Sequence, residues 1–170
     1  MSRIRPLASL RVSPTCDLCD RIERAELGEN PFALIRTTTG YVNLGDVQYH
    51  EGYTIFVAKR CVNELHELTP AERDVHLHEM AVVAEAVFRA FRPRKLNYEL
   101  LGNGAPHVHW HLFPRHADDA RPRGPVWEDP GFLRALDEGA RPDPKRLAEL
   151  RALLVEALDE SDLTIERRFG

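Results

Sequence analysis

The sequence predicts an α+β domain in which a small sheet of short strands packs against helices. Three observations carry this: short apolar runs separated by turn residues, one long helical segment bounded by prolines, and a strand in which three histidines alternate with apolar residues. Phe32 to Thr37 and Tyr41-Val42-Asn43-Leu44 read as two strands around a Thr-Gly turn, and Gly52 to Ala58 reads as a third. Thr69-Pro70-Ala71-Glu72 has the form of a capping box with proline in the first helical position. Met80, Val83, Val87 and Phe91 then recur at helical spacing until Pro93 stops the helix, and this stripe is expected to pack on the sheet. Leu96 to Leu101 returns as a strand. The turn Gly102-Asn103-Gly104-Ala105-Pro106 delivers the chain, as an antiparallel hairpin, into His107-Val108-His109-Trp110-His111-Leu112-Phe113-Pro114-Arg115. From Arg115 to about Pro130 the chain is rich in Pro, Arg and Asp and reads as a surface loop anchored by Trp127. A last helix runs from Pro144 to Leu158, docked by Leu147, Leu150, Leu154 and Leu158. The final ten residues carry no interpretable pattern.

The chain has 170 residues, which fits one domain over 1–170. Its net charge is −4, so general attraction to a nucleic-acid polymer or an anionic membrane is not favoured, and any phosphate binding has to be local. No apolar run is long enough to span a bilayer, and Met1-Ser2-Arg3-Ile4-Arg5-Pro6 lacks the apolar core of a secretion signal. The expected location is the cytoplasm.

In a strand, the spacing of His107, His109 and His111 puts all three imidazoles on one face and leaves Val108, Trp110 and Leu112 for a core. Neutral imidazole is both a nucleophile and a metal ligand near neutral pH, so such a face points to chemistry. His78-Glu79 does not make a metalloprotease helix, because Val82 stands where the second histidine would be. His50, His66, His76 and His116 read as solvated or hydrogen-bonded residues.

The run resembles the signature of the histidine-triad (HIT) family, His-φ-His-φ-His-φ-φ with φ apolar, at all seven positions from His107 to Phe113. Glu29 to Ile35 resembles the family's first sheet strand. Gly52 to Arg60 resembles its Gly-His-x-Leu-x-x-x-Pro-Lys segment, with Tyr53 where many members have histidine, and Glu64 to Leu68 leads into the central helix. The likeness covers roughly residues 16–127 and leaves 128–170 as a C-terminal extension. It implies a five-stranded antiparallel sheet with a long central helix, usually paired into a homodimer.

By resemblance, His109 matches the family nucleophile. A neutral imidazole that attacks phosphorus splits one difficult displacement into two easier ones through a phosphoramidate. His111 could donate to a nonbridging oxygen or to the leaving group, and His107 could orient it. Asn103 and Gly104 could offer donors to a phosphate from a turn that allows close approach. Phe32, Leu34 and Ile55 are candidates to line a nucleobase pocket. Arg115 could bind distal phosphates or pair with Asp118 and Asp119, and the second reading is preferred. The implied activity is hydrolysis at the α-phosphorus of dinucleoside polyphosphates or nucleoside phosphoramidates, with no organic cofactor. Alternatives are a nucleotidyltransferase, or a nucleotide-binding or scaffold protein with little turnover. The third histidine argues against the uridylyltransferase branch, whose motif places glutamine there. The ending His-Trp-His-Leu-Phe-Pro-Arg resembles bacterial dinucleoside polyphosphate hydrolases most.

The three cysteines are a separate signal. Cys16-Asp17-Leu18-Cys19 has the spacing of a zinc knuckle, and Cys61 stands where family members often have histidine. Some bacterial members resemble this chain in carrying a Cys-x-x-Cys zinc site completed by that segment and by a histidine near the triad, which makes His107 the candidate fourth ligand. The expected ion is a structural zinc. A redox pair would need a strand-to-helix setting of its own, an odd cysteine count in the cytoplasm argues against a disulfide, and buried reduced thiols remain the plain alternative.

Overall fold

The computed structural model describes residues 16–170, and the segment Met1 to Pro6 considered above lies outside the described residues. Its strands are β1 (Ala33–Arg36), β2 (Gly40–Leu44), β3 (Thr54–Ala58), β4 (Lys95–Glu99), β5 (His109–Arg115) and β6 (Arg167–Arg168). Its helices are α1 (Asp17–Glu26), α2 (Pro70–Phe91), α3 (Pro130–Asp137) and α4 (Pro144–Asp159). The strands form one antiparallel sheet in the order β4-β5-β3-β2-β1-β6.

The sheet therefore has six strands among the described residues, not the expected five. The addition is β6, whose two arginines pair with Ile35 and Arg36 of β1. It shows no alternation to read, because its place is set from outside the strand. Phe169 stacks on Tyr41 at 6.2 Å, and Glu166 accepts from Lys59 Nζ at 2.7 Å and Arg36 Nε at 3.1 Å. Two short helices, α1 and α3, also stand where no helix was expected. Both starts carry a local cue: acidic Asp17 and Asp20 in the first turn of α1, and for α3 the Asp129 cap followed by Pro130.

The long helix begins as its sequence requires. Thr69 Oγ1 accepts from the Glu72 amide while the Glu72 carboxylate accepts from the Thr69 amide, and Arg92 closes the far end in the left-handed region at φ 47°, just before Pro93. Val83, Ala84 and Val87 of α2, with Leu150, Leu154 and Leu158 of α4, cover one face of the sheet over Val42, Leu44, Phe56 and Leu112. The opposite face carries Tyr53, Ile55, Val57 and Phe113 beneath Leu18 of α1, Phe132 of α3, and Val126 from the turn before α3. The 128–170 extension thus contributes to both layers. No helix of the described residues is long and apolar enough to cross a membrane.

Alternation along β5 decides what faces what. Trp110 and Leu112 turn to the helices, and His109, His111 and Phe113 turn to the other layer. Arg115 ends the strand as a structural residue. Its guanidinium donates to Asp119 at 2.8 Å, Asn97 at 2.8 Å and the Gly124 and Arg121 carbonyls at 2.9 and 2.6 Å, which folds the following loop back on the sheet. Trp127 anchors that loop by donating to Glu99 and packing edge-on against His111 and Phe113.

Candidate active site and metal centre

Three histidines of one spacing end in three environments. His109 is buried, and its Nδ1–H donates to the His107 carbonyl at 2.6 Å, which leaves Nε2 as the nitrogen available to a ligand. His111 lies beside it, ring centroids 4.7 Å apart, with its Nδ1 2.6 Å from the Tyr53 hydroxyl. Burial, and then the nearby His109, push the His111 imidazole down to about 4, so it is neutral at neutral pH. Both rings open on a cleft of about 260 Å³ that Leu18, Arg21, Phe32, Ile55 and Arg141 help to line.

His107 does not line that cleft. Strand pairing starts only at His109, and the turn before it, with the His107 amide donating to the Ala105 carbonyl at 2.8 Å, rotates the ring towards the N-terminal arm. There its Nδ1 is 3.5 Å from Cys16 Sγ and 3.7 Å from Cys19 Sγ, while Nε2–H donates to the Ala58 carbonyl at 2.8 Å. Cys16, Cys19, Cys61 and His107 bring four ligand atoms within 4.8 Å of one another. Bond lengths of ~2.0–2.3 Å around a tetrahedral ion imply ligand separations of ~3.5–3.8 Å, which the two measured sulfur–nitrogen distances match. The carbonyl behind His107 also holds the tautomer that leaves Nδ1 unprotonated, the usual support for a metal-binding imidazole. The donor set therefore fits zinc.

Of the other expected contacts, Phe32 and Ile55 line the cleft and Leu34 does not. A bulge between Ala33 and Ile35 breaks the two-residue period, and Leu34 and Ile35 both turn into the core under α2 and α4. Asn103 and Gly104 are exposed in the β4–β5 connection and do not line the cleft either. Residues missed from the sequence are Arg21 and Arg24 on α1, Asp46 after β2, and Arg141 between α3 and α4. The two α1 arginines stand one helical turn apart directly after the Cys-x-x-Cys, which was the available cue. Arg141, whose guanidinium lies 5.6 Å from the Phe32 ring centre, had none.

The fold is the one seen in solved histidine triad proteins. Residues 38–118, a little under half of the chain, match the HIT domain. The chain superposes on a histidine triad protein from Sinorhizobium meliloti with a TM-score of 0.64 at 22% identity, covering 84% of this chain and 97% of that one. A histidine triad protein from Marinobacter aquaeolei gives 0.62 at 22% identity, covering 81% and 93%. A zinc-bound histidine triad family protein from Mycobacterium smegmatis gives 0.56 at 20% identity, covering 85% and 94%. No curated protein matches significantly.

Proposed function

We propose that the protein hydrolyses nucleotide substrates at the α-phosphorus through a nucleotidyl-histidine, with dinucleoside polyphosphates or nucleoside phosphoramidates as the substrate class. The observation that carries this reading is His109. With Nδ1–H engaged by the His107 carbonyl, Nε2 keeps its lone pair towards the cleft next to a second imidazole. In the first step Nε2 bonds to phosphorus as the bond to the leaving phosphate or amine breaks and its electron pair departs with that group. In the second, water breaks the phosphorus–nitrogen bond, releasing the nucleoside monophosphate and the free imidazole. His111 donates to a phosphate oxygen or to the leaving group.

Cys16, Cys19, Cys61 and His107 would hold a structural zinc, tying the arm before α1 to the sheet; the zinc-bound relative supports this. Its thiolates suit a reducing compartment, the cytoplasm. A homodimer is the proposed assembly. Among the described residues the β4 edge has no neighbouring strand, Tyr98 on it and Leu100 and Leu101 just after it are exposed, and the interface would combine this edge with α2.

Turnover of a dinucleoside polyphosphate, a nucleoside phosphoramidate and a nucleotide sugar, measured side by side, tests the reading. Hydrolysis of either of the first two supports it. Transfer to a second phosphate without hydrolysis would make the protein a nucleotidyltransferase, and binding without turnover would make it a nucleotide-binding protein.

A further inference from the structure

We propose that the Tyr53 hydroxyl sets the tautomer of His111 by donating to Nδ1, so that the neutral ring presents an Nε2–H donor to the cleft. Tyr53 is then a positioning residue that acts through His111. The inference rests on the reading of the β5 histidines as catalytic.

The geometry leaves the hydroxyl little choice. Tyr53 is 5% exposed, and its oxygen lies 2.6 Å from His111 Nδ1. The ring cannot swing away. It stacks on Phe113 with centroids 4.0 Å apart and planes 11° apart, and a Cβ at Gly45 would come within 2.1 Å of its Cδ1, a space that only glycine leaves. A buried hydroxyl proton needs an acceptor, and Nδ1 supplies one. In the reverse arrangement, Nδ1–H donates to the tyrosine oxygen. The hydroxyl proton is then stranded, and Nε2 turns a bare lone pair towards phosphate oxygens that repel it.

The charge state makes this matter. Because burial holds His111 neutral at neutral pH, it cannot donate from both nitrogens, and its usefulness to a phosphate depends on which one carries the single proton. Burial pushes the Tyr53 phenol upward, away from neutrality, so the donor keeps its proton across the physiological range. Tyrosine, at a position where the resemblance leads one to expect histidine, therefore supplies a donor that does not titrate near neutral pH.

Long-range proton–nitrogen correlation spectra of the ¹⁵N-labelled protein read the tautomer directly. The expected result is His111 with Nδ1 unprotonated and Nε2 protonated, and a loss of that preference in Tyr53→Phe, which keeps the ring and its stacking. In turnover, Tyr53→Phe should lower kcat about ten- to a hundredfold with KM within about twofold, inside the ~10²–10⁴ that a positioned proton donor is worth. In a His111→Ala background the same change should cost nothing further. A wild-type His111 carrying its proton on Nδ1, or an equal loss in both backgrounds, would overturn the inference. Trapping of labelled nucleotide on His109 separates the two levels. If trapping fails, the catalytic reading falls while the tautomer measurement stands. If trapping succeeds and the tautomer is wrong, the tyrosine inference alone falls.

Discussion

His107, His109 and His111 carry the same side chain, and what distinguishes them is which ring nitrogen each commits to the protein and which it turns outward. His107 gives Nε2–H to the Ala58 carbonyl and turns Nδ1 to the thiols, whereas His109 gives Nδ1–H to the His107 carbonyl and turns Nε2 to the cleft. His109→Ala should therefore reduce turnover by more than ~10³ while changing nucleotide affinity by less than about threefold, because only the attacking atom is removed. Burst kinetics and equilibrium binding on the same preparation check this, and labelled nucleotide recovered on another residue would refute the assignment. Because His111 is held down to about 4, its protonation should leave no step in the rate profile between pH 5 and 8. A nitrogen chemical shift for His111 that titrates in that window would count against it.

At the scale of elements, the back of the triad strand is tied to the long helix by a buried polar chain. Trp110 Nε1 donates to His76 Nε2 at 3.2 Å, His76 Nδ1 lies 3.2 Å from Thr39 Oγ1, and that hydroxyl donates to Glu79. The Glu79 carboxylate also takes the Thr37 hydroxyl at 2.8 Å and the Thr38 and Thr39 amides at 3.0 Å each, which fixes the β1–β2 turn to α2. Glu79→Ala strands these donors and should cost on the order of 3 kcal/mol in urea unfolding. Burial holds His76 down to about 4, well below the ~6.5 of an unfolded histidine. Between those values the unfolded chain binds a proton that the native protein does not. Stability is thus full above pH ~6.5 and declines as pH falls towards 4, by up to ~3 kcal/mol for one such group, with His111 adding in the same direction. Unfolding midpoints that stay flat over that window would show that the imidazoles are not held neutral. The capping box of α2 and the leucine stripe of α4 were legible because each is a local cue. Partners such as Thr39 for His76 were not, because they lie 37 positions apart in the chain.

Across the whole molecule, His107 joins two sites. Its ring belongs to the cysteine cluster and its carbonyl orients His109, while α1, which starts at Cys16-x-x-Cys19, lines the cleft with Leu18 and Arg21. Cys16→Ser or Cys19→Ser should therefore lower zinc content from about one equivalent towards none and reduce Tm by about 10 °C. Nucleotide binding should weaken with them, since the cleft loses a fixed wall. Elemental analysis with calorimetry checks both, and unchanged stability in metal-free variants would return the cysteines to plain buried thiols. Light scattering at micromolar concentration tests the proposed dimer, and a monomer would contradict it.

The triad run, the capped helix and the two-residue cysteine spacing were readable in the chain because each is a short-range pattern whose period matches a secondary structure. They were enough to point to an α+β sheet, and the family resemblance they carry added His109 and the four zinc-ligand candidates. Long-range contacts fixed the rest. β6 exists because Phe169 finds Tyr41 and Glu166 finds Lys59 and Arg36 across more than a hundred residues. In β1, Leu34 and, past a bulge, Ile35 turned into the core, and Leu34 is absent from the cleft. Tyr53, 58 residues from His111, became its partner only when β3 paired with β5. Local periodicity specifies which face a side chain takes within its own element. What that face meets depends on strand order and register, and these settle only when the elements pack together.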